Sequence, residues 1–304
     1  MITPSTIQYI SHQHIDKTKW DSCIDNDIDG RIYASSYYLD TMAGNWDALV
    51  AGDYETVMPL PWRKKKGISY IFQPAFIAQL GVFGKNADQL TPGFLHAIPS
   101  KFKLVDLSIK QIPVEPGQRM IVRERMNYIL HLNKSYDELR SAYRDNIKRN
   151  IKKHLQLGCY LKKNIDLNEI IQLASEQEKG NTKKEDFQNF AQLYHRLQQK
   201  GKAVNYGIYS KSNQLLSSAA YFFSHNRAYY ILVGNHPNGR TLGASHALID
   251  AFIKDHAGKN LILDFEGSDI RNLAFFYSSF GALEERYASI RWNRLPWWLK
   301  WLKK

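Results

Sequence analysis

Apolar positions in this chain alternate in some stretches and recur every three to four residues in others, which predicts a mixed α/β protein. In the first half, the pattern predicts helices over 20–28 and 35–42. Strands are expected over 48–50, 55–62, 69–72, 104–109, 120–122 and 128–132. The piece MPLPWRKKKGISYIF reads as a hairpin whose tip gathers Arg63, Lys64, Lys65 and Lys66, with Gly67 supplying the turn.

A long helix is expected from Ser135, where Ser-Tyr-Asp-Glu has the capping-box form, to about Gly158, a natural stop. Leu139, Tyr143, Ile147, Ile151 and Leu155 make an apolar row along it. Arg140, Arg144, Lys148 and Lys152 form the adjacent row, reinforced by Arg149 and Lys153. This row reads either as a solvated face or as a ridge that meets phosphates. Downstream come a strand at 159–162, helices over 167–179 and 184–200, and three β-type runs, VNYGIYS, LLSSAAYFF and AYYILVG. A helix over 241–256, the strand LILDF, a helix over 271–280 and a strand over 284–292 follow. The order β-α-α-β-β-β-α-β-α-β is that of the GNAT acyltransferase fold.

Composition narrows the picture. The chain has 304 residues, enough for two domains, with 44% hydrophobic and 23% charged residues, so disorder is not expected. No apolar run reaches membrane-spanning length, and MITPSTIQYISHQH lacks the features of a signal peptide. Only Cys23 and Cys159 occur, without a CxxC pair, which fits a reducing, cytoplasmic setting with no disulfide framework or structural zinc. A formal charge of +12 favours polyanionic partners such as RNA, anionic lipid, nucleotide diphosphates or CoA.

Candidate chemistry concentrates in two stretches. In VGNHPNGRTLGASHALIDAF, a strand ends in a loop and a helix opens with Arg240, Gly243, Ala244 and Ser245. Unpaired amides at a helix start hold phosphate, small residues let it approach, and Arg240 adds charge. The alternative is a packed strand-to-helix turn. In LILDFEGSDIRNLAFFYSSFGA, Asp264 and Glu266 lie at a strand end. Glu266 there is a candidate general base toward an amine, and Tyr277 a candidate donor to a departing group. Asp264 or Glu266 equally suits capping or pairing with Arg271 or Arg240. There is no GxSxG elbow, HExxH, Walker A or dinucleotide fingerprint, and His12 and His14 have no second ligand cluster, so no metal is expected. Direct transfer between two bound substrates remains, a reaction that rests on positioning and polarisation. At the C-terminus, Trp297, Trp298 and Trp301 alternate with lysines, which suits either a bilayer interface or packing onto a domain.

Four stretches together resemble the Fem family of peptidoglycan-branching aminoacyltransferases, within the GNAT-like superfamily. They are MPLPWRKKKGISYIFQPAFIAQLGVF, NYILHLNKSYDELRSAYRDNIKRNIKK, the 240–248 region and FEGSDIRNLAFFYSSFGA. The resemblance implies two tandem GNAT-like domains with mixed sheets flanked by helices: residues 1–134, a linking basic helix over 135–157, and 158–304, whose last strand packs back on the first domain. It implies transfer of an aminoacyl group from aminoacyl-tRNA to an amine of a peptidoglycan precursor, without a cofactor. Arg144, Lys148 and Arg149 would then meet tRNA phosphate, Arg63 and Lys64 the precursor's diphosphate, and the Trp-rich tail a membrane surface. An acyl-CoA-dependent N-acyltransferase and a non-catalytic binder of RNA or anionic surfaces are the alternatives. No segment is long enough for the antiparallel helical arm some members carry.

Overall fold

The computed structural model describes residues 7–113, 120–177, 182–267 and 269–297. The chain divides into two compact units, residues 1–125 with 286–304, and residues 126–285.

The first unit is built on a mixed sheet. Its strands are β1 (Ile7–Ile10), β2 (Trp46–Ala51), β3 (Thr56–Lys65), β4 (Ile68–Ile71), the short β5 (Phe83–Gly84) and β6 (Phe102–Ile109), with helices α1 (Lys17–Asn26), α2 (Ser36–Met42) and α3 (Ala87–Ala97). Strands run β1-β2-β3-β4-β6, with β4 and β6 parallel. β2 is buried along its whole length; it is apolar except for Asp47, which accepts from the His12 amide at 3.0 Å. The hairpin forms as expected: Arg63 faces Tyr70, Lys64 faces Ser69 and Lys65 faces Ile68. Lys66 and Gly67 both take positive φ to close it, and an NH-bearing, Cβ-free glycine carries the more open angle without strain. The two strands expected near 120–132 are one, β7 (Met120–His131), bridged by the exposed Arg123 and Glu124 and the half-buried Arg125.

The second unit begins within β7. It contains α4 (Tyr136–Ser141), α5 (Asp145–Gln156), β8 (Tyr160–Lys163), α6 (Leu167–Gln177), α7 (Lys184–Gln199), β9 (Ala203–Tyr209), β10 (Leu215–Ser224) and β11 (Arg227–Asn235). Then follow α8 (Pro237–Leu242), α9 (Ala244–His256), β12 (Ile262–Asp264), α10 (Arg271–Ser278) and the start of β13 (Leu283–Asn293), whose later residues pair with β6 in the first unit. The strand order is β7-β12-β11-β10-β9-β8. Its core joins Tyr206, Tyr221 and Tyr230 to Leu248, Phe252 and Phe280.

Two expectations need correction. The long helix from Ser135 is two helices. Its capping box forms: Ser135 N donates to Glu138 Oε2 at 2.9 Å, and Glu138 N donates back to Ser135 Oγ at 3.4 Å. The helix then stops at Ser141, because the Arg144 amide donates to Ser279 O at 2.9 Å rather than to its own helix. Tyr143 meanwhile packs on Phe280, ring centroids 5.2 Å apart. The segment 135–157, expected as a linker, thus lies inside the second unit. Second, Leu139, Tyr143, Ile147 and Ile151 are buried as expected, but Leu155, the last of that row, is 68% exposed.

Candidate active site

β11 and β12 pair only from Arg227 to Tyr229 against Ile262 to Asp264, in parallel. β11 then continues along β10, while Phe265 N turns to Tyr128 O at 3.0 Å on β7. The strands therefore part, and three aromatic rings fill the opening. Phe265 stacks on Tyr277 at 4.4 Å, and Tyr230 meets both edge-on, at 6.0 and 6.4 Å. Beside them, β11 carries a bulge: Ala220 pairs with Leu232 and Tyr221 with Tyr230, leaving Ile231 as the extra residue.

The carboxylates at the end of β12 have different roles. Asp264 is buried and locked in place. It accepts from Asn127 Nδ2 at 2.9 Å, from Arg227 Nη1 at 2.8 Å and from the Glu266 amide at 2.9 Å. Arg227 also reaches Glu285, and although burial opposes its charge, the two carboxylates more than offset it. Glu266 takes a positive φ of 63° and is half-buried. Tyr277 is buried next to it; burial first, and then the Glu266 charge, raise its hydroxyl above the ordinary range, so it stays protonated. Glu266 and Tyr277, chosen from sequence, are thus close enough to influence each other.

The Arg240 to Ser245 stretch is built differently from the expectation. Residues 237–242 form their own short helix, and the long helix opens only at Ala244 because Gly243, at φ +68°, breaks the path. Gly243 and Ala244 are buried. A Cβ at Gly243 would lie 2.6 Å from Asn150 O of α5, so the missing side chain makes room for that helix. Ser245 is half-buried; the side chain of Arg240 lies outside what the structure describes.

The cationic residues fall into separate groups. Arg63, its guanidinium 4.1 Å from the Phe72 ring, and the exposed Lys64 belong to the first unit. Lys148 and Arg149 line one cavity on α5 with Arg140 and Lys152. Arg144 points to α10, 4.7 Å over Phe275. Trp297 is 80% exposed, while Trp298 and Trp301 lie outside the described residues. His12 bonds Asp40 and His14 bonds Ser11. Burial raises both thiols, Cys23 to about 11, which leaves neither as a ready nucleophile.

Tyr230, the bulge at Ile231 and the Asn127–Arg227–Glu285 network were not apparent from sequence. Neither was His246, in the first turn of α9. It meets Phe276 edge-on at 4.9 Å, its Nδ1 has no hydrogen-bond partner among the described residues, and burial pushes its pKa down to about 4.

Residues 141–269 match the family model described as an acetyltransferase (GNAT) domain. Residues 141–269 therefore form an acyltransferase domain of the GNAT type, and the protein is an acyltransferase. Its fold is similar over nearly the whole length to that of FemX, with a TM-score of 0.64, 14% identity, and coverage of 92% of this chain and 96% of that one. It is similar also to a conserved protein of unknown function from Bacteroides thetaiotaomicron (TM-score 0.57, 11% identity, covering 90% and 96%). L-PGS from Bacillus licheniformis follows (TM-score 0.54, 11% identity, covering 92% of each). No curated protein matches the sequence. Among the described residues, no helix is long and apolar enough to cross a membrane.

Proposed function

We propose that this protein transfers an aminoacyl group from aminoacyl-tRNA to an amine of a cell-wall peptide precursor. The observation that carries the choice of donor is the packing of α5 over the Gly243 turn. A pyrophosphate needs the open backbone of such a turn, and here Asn150 O stands where even a Cβ would not fit. The same helix presents Lys148, Arg149 and Lys152 on its outer side, a surface suited to an RNA backbone.

In this reading the amine nitrogen bonds the acyl carbon and the ester C–O bond to the ribose breaks. Glu266 takes the proton lost by nitrogen, and Tyr277, held protonated, donates one to the departing ribose oxygen; proton return from Glu266 restores it. The backbone at the Ile231 bulge, where the ladder with β10 is interrupted, is assigned to polarise the acyl carbonyl. Arg63 and Lys64 serve the acceptor's diphosphate, and Trp297 contributes to contact with a membrane-bound acceptor.

The test is acyl transfer to a lysine-containing precursor peptide, with a mixed aminoacyl-tRNA pool in one arm and acetyl-CoA in the other. Transfer from tRNA alone supports the reading. Transfer from CoA alone replaces it with an N-acyltransferase, and salt-sensitive RNA binding without turnover leaves a binder that has lost its chemistry.

A further inference from the structure

The second unit contains a cleft whose mouth is the cationic surface assigned above to RNA and whose inner part that chemistry does not use. One end is a cavity of about 320 Å³ on α4 and α5, with Arg140, Lys148, Arg149 and Lys152 around an apolar floor of Ile151 and Leu155. None of the four cations has a carboxylate within ion-pair distance among the described residues. Arg140, Ile151 and Leu155 also line a second cavity of about 620 Å³ that runs between α5 and α9, so the two are neighbours across these shared walls. The combined space suits a small ligand.

The deeper cavity is chemically distinct from the mouth. Tyr136 and Tyr160 contribute aromatic surface, and Ile208 and Ala247 an apolar wall. Asp250 and Asp255 provide carboxylate acceptors; Tyr136 Oη donates to Asp250 at 2.9 Å, and Lys163 pairs with Asp255 at 2.6 Å. His154, 96% buried and lining this cavity, keeps an Nδ1 with no hydrogen-bond partner among the described residues. Carboxylates on the wall disfavour a hydrocarbon chain, whereas ring amino groups donate to them.

We infer that this cleft binds a nucleoside phosphate, with the phosphate on the cations of α4 and α5 and the base in the deeper cavity between α5 and α9. The inference rests on the reading that the donor is an RNA ester, and it names where a nucleotide of that RNA sits. Its chemistry is shared by a free nucleotide, and the experiment separates the two.

Binding of AMP, inorganic phosphate, a fluorescent single-stranded RNA hexamer and phosphatidylglycerol vesicles is measured on the full chain. AMP is expected to bind at least tenfold tighter than phosphate, because the base adds stacking. Ala251→Trp, which fills the deeper cavity, is expected to remove that advantage and leave phosphate binding. Leu155→Glu alters an exposed position, keeps the fold, and sets a carboxylate among the cations; it is expected to weaken AMP and RNA roughly tenfold. Lys148→Ala with Lys152→Ala lowers the slope of log affinity against log salt by about 2. A hexamer that outcompetes AMP identifies an RNA strand as the occupant, and AMP alone a free nucleotide; both support the cleft. AMP binding no tighter than phosphate, no effect of Leu155→Glu, or vesicle binding without nucleotide binding overturns it. Loss of the cleft with transfer from tRNA intact refutes only this inference. A nucleotide-binding cleft without such transfer refutes the donor reading instead.

Discussion

Replacing Arg227 with Met tests whether the buried charges below the candidate site hold the end of β12 in place. The Arg227 side chain is 7% exposed and that of Asp264 is 5% exposed, so their pairing is shielded from water. Arg227→Met keeps most of the volume but takes the only cation the network is described with away from Asp264 and Glu285, leaving Asp264 the Asn127 Nδ2 and Glu266 amide donors, both at 2.9 Å. Removing one partner of a buried pair costs about 3–5 kcal/mol, since the remaining charge is left without compensation. For a unit of this size, that corresponds to a fall in Tm of about 6–20 °C. The assay is urea unfolding followed by far-UV circular dichroism, with Arg291→Met as control. Arg291 pairs with Asp106 at 3.3 Å while 62% exposed, and its loss should cost no more than about 1 kcal/mol. If Arg227→Met unfolds within about 1 kcal/mol of the unaltered protein, the network does not hold the strand end, and the rigid base assumed for Glu266 is wrong.

Gly243→Ala should destabilise by about 1–3 kcal/mol, from its positive φ and from the approach of Asn150 O; unchanged thermal unfolding would show that α5 yields easily. Glu266→Gln should lower turnover about 10²–10⁴-fold with the circular dichroism spectrum unchanged, and Tyr277→Phe should act in the same direction; full activity in both would remove them from the mechanism. His246 is held neutral, its pKa brought from 6.5 down to about 4 by burial, so the unfolded chain takes up a proton there before the folded one does. Its contribution to stability is intact above pH 6.5 and is lost as pH falls to about 4, so His246→Phe should flatten the stability profile across that window; an unchanged profile would show that His246 is not the group responsible.

Much of the second unit is legible in the sequence because its signals are local. The capping box at Ser135, the three β-type runs and the helices after them each carry their own period or cap, and the order follows. The first unit yields less. Pro92 and Gly93 sit within α3 and disguise it as a loop, while β1 and β5 are too short to carry a period. The break between α4 and α5 has no glycine or proline to announce it. It arises from Ser279, whose carbonyl takes the Arg144 amide from 135 positions away, and no local pattern carries that contact.

The same division runs through the site. Glu266, just past the end of β12, and Tyr277, in α10, are chosen by chemistry, a carboxylate and a hydroxyl that stand out against apolar neighbours. Asp264, two residues earlier, has the same credentials in sequence but is held by Arg227 and Asn127, both distant along the chain. The Gly243 turn separates the two kinds of information most clearly. A small residue before a helix fits a phosphate cradle and a helix crossing equally well, because both need backbone without a Cβ. Only the position of Asn150 distinguishes them, and it favours the crossing. In the proposed reading, with α5 packed against the turn, the anion is met instead by Arg140 of α4 and by Lys148, Arg149 and Lys152 of α5, which line one cavity. In that reading we therefore prefer a donor whose negative charge is spread along a strand to one that concentrates it in a single pyrophosphate.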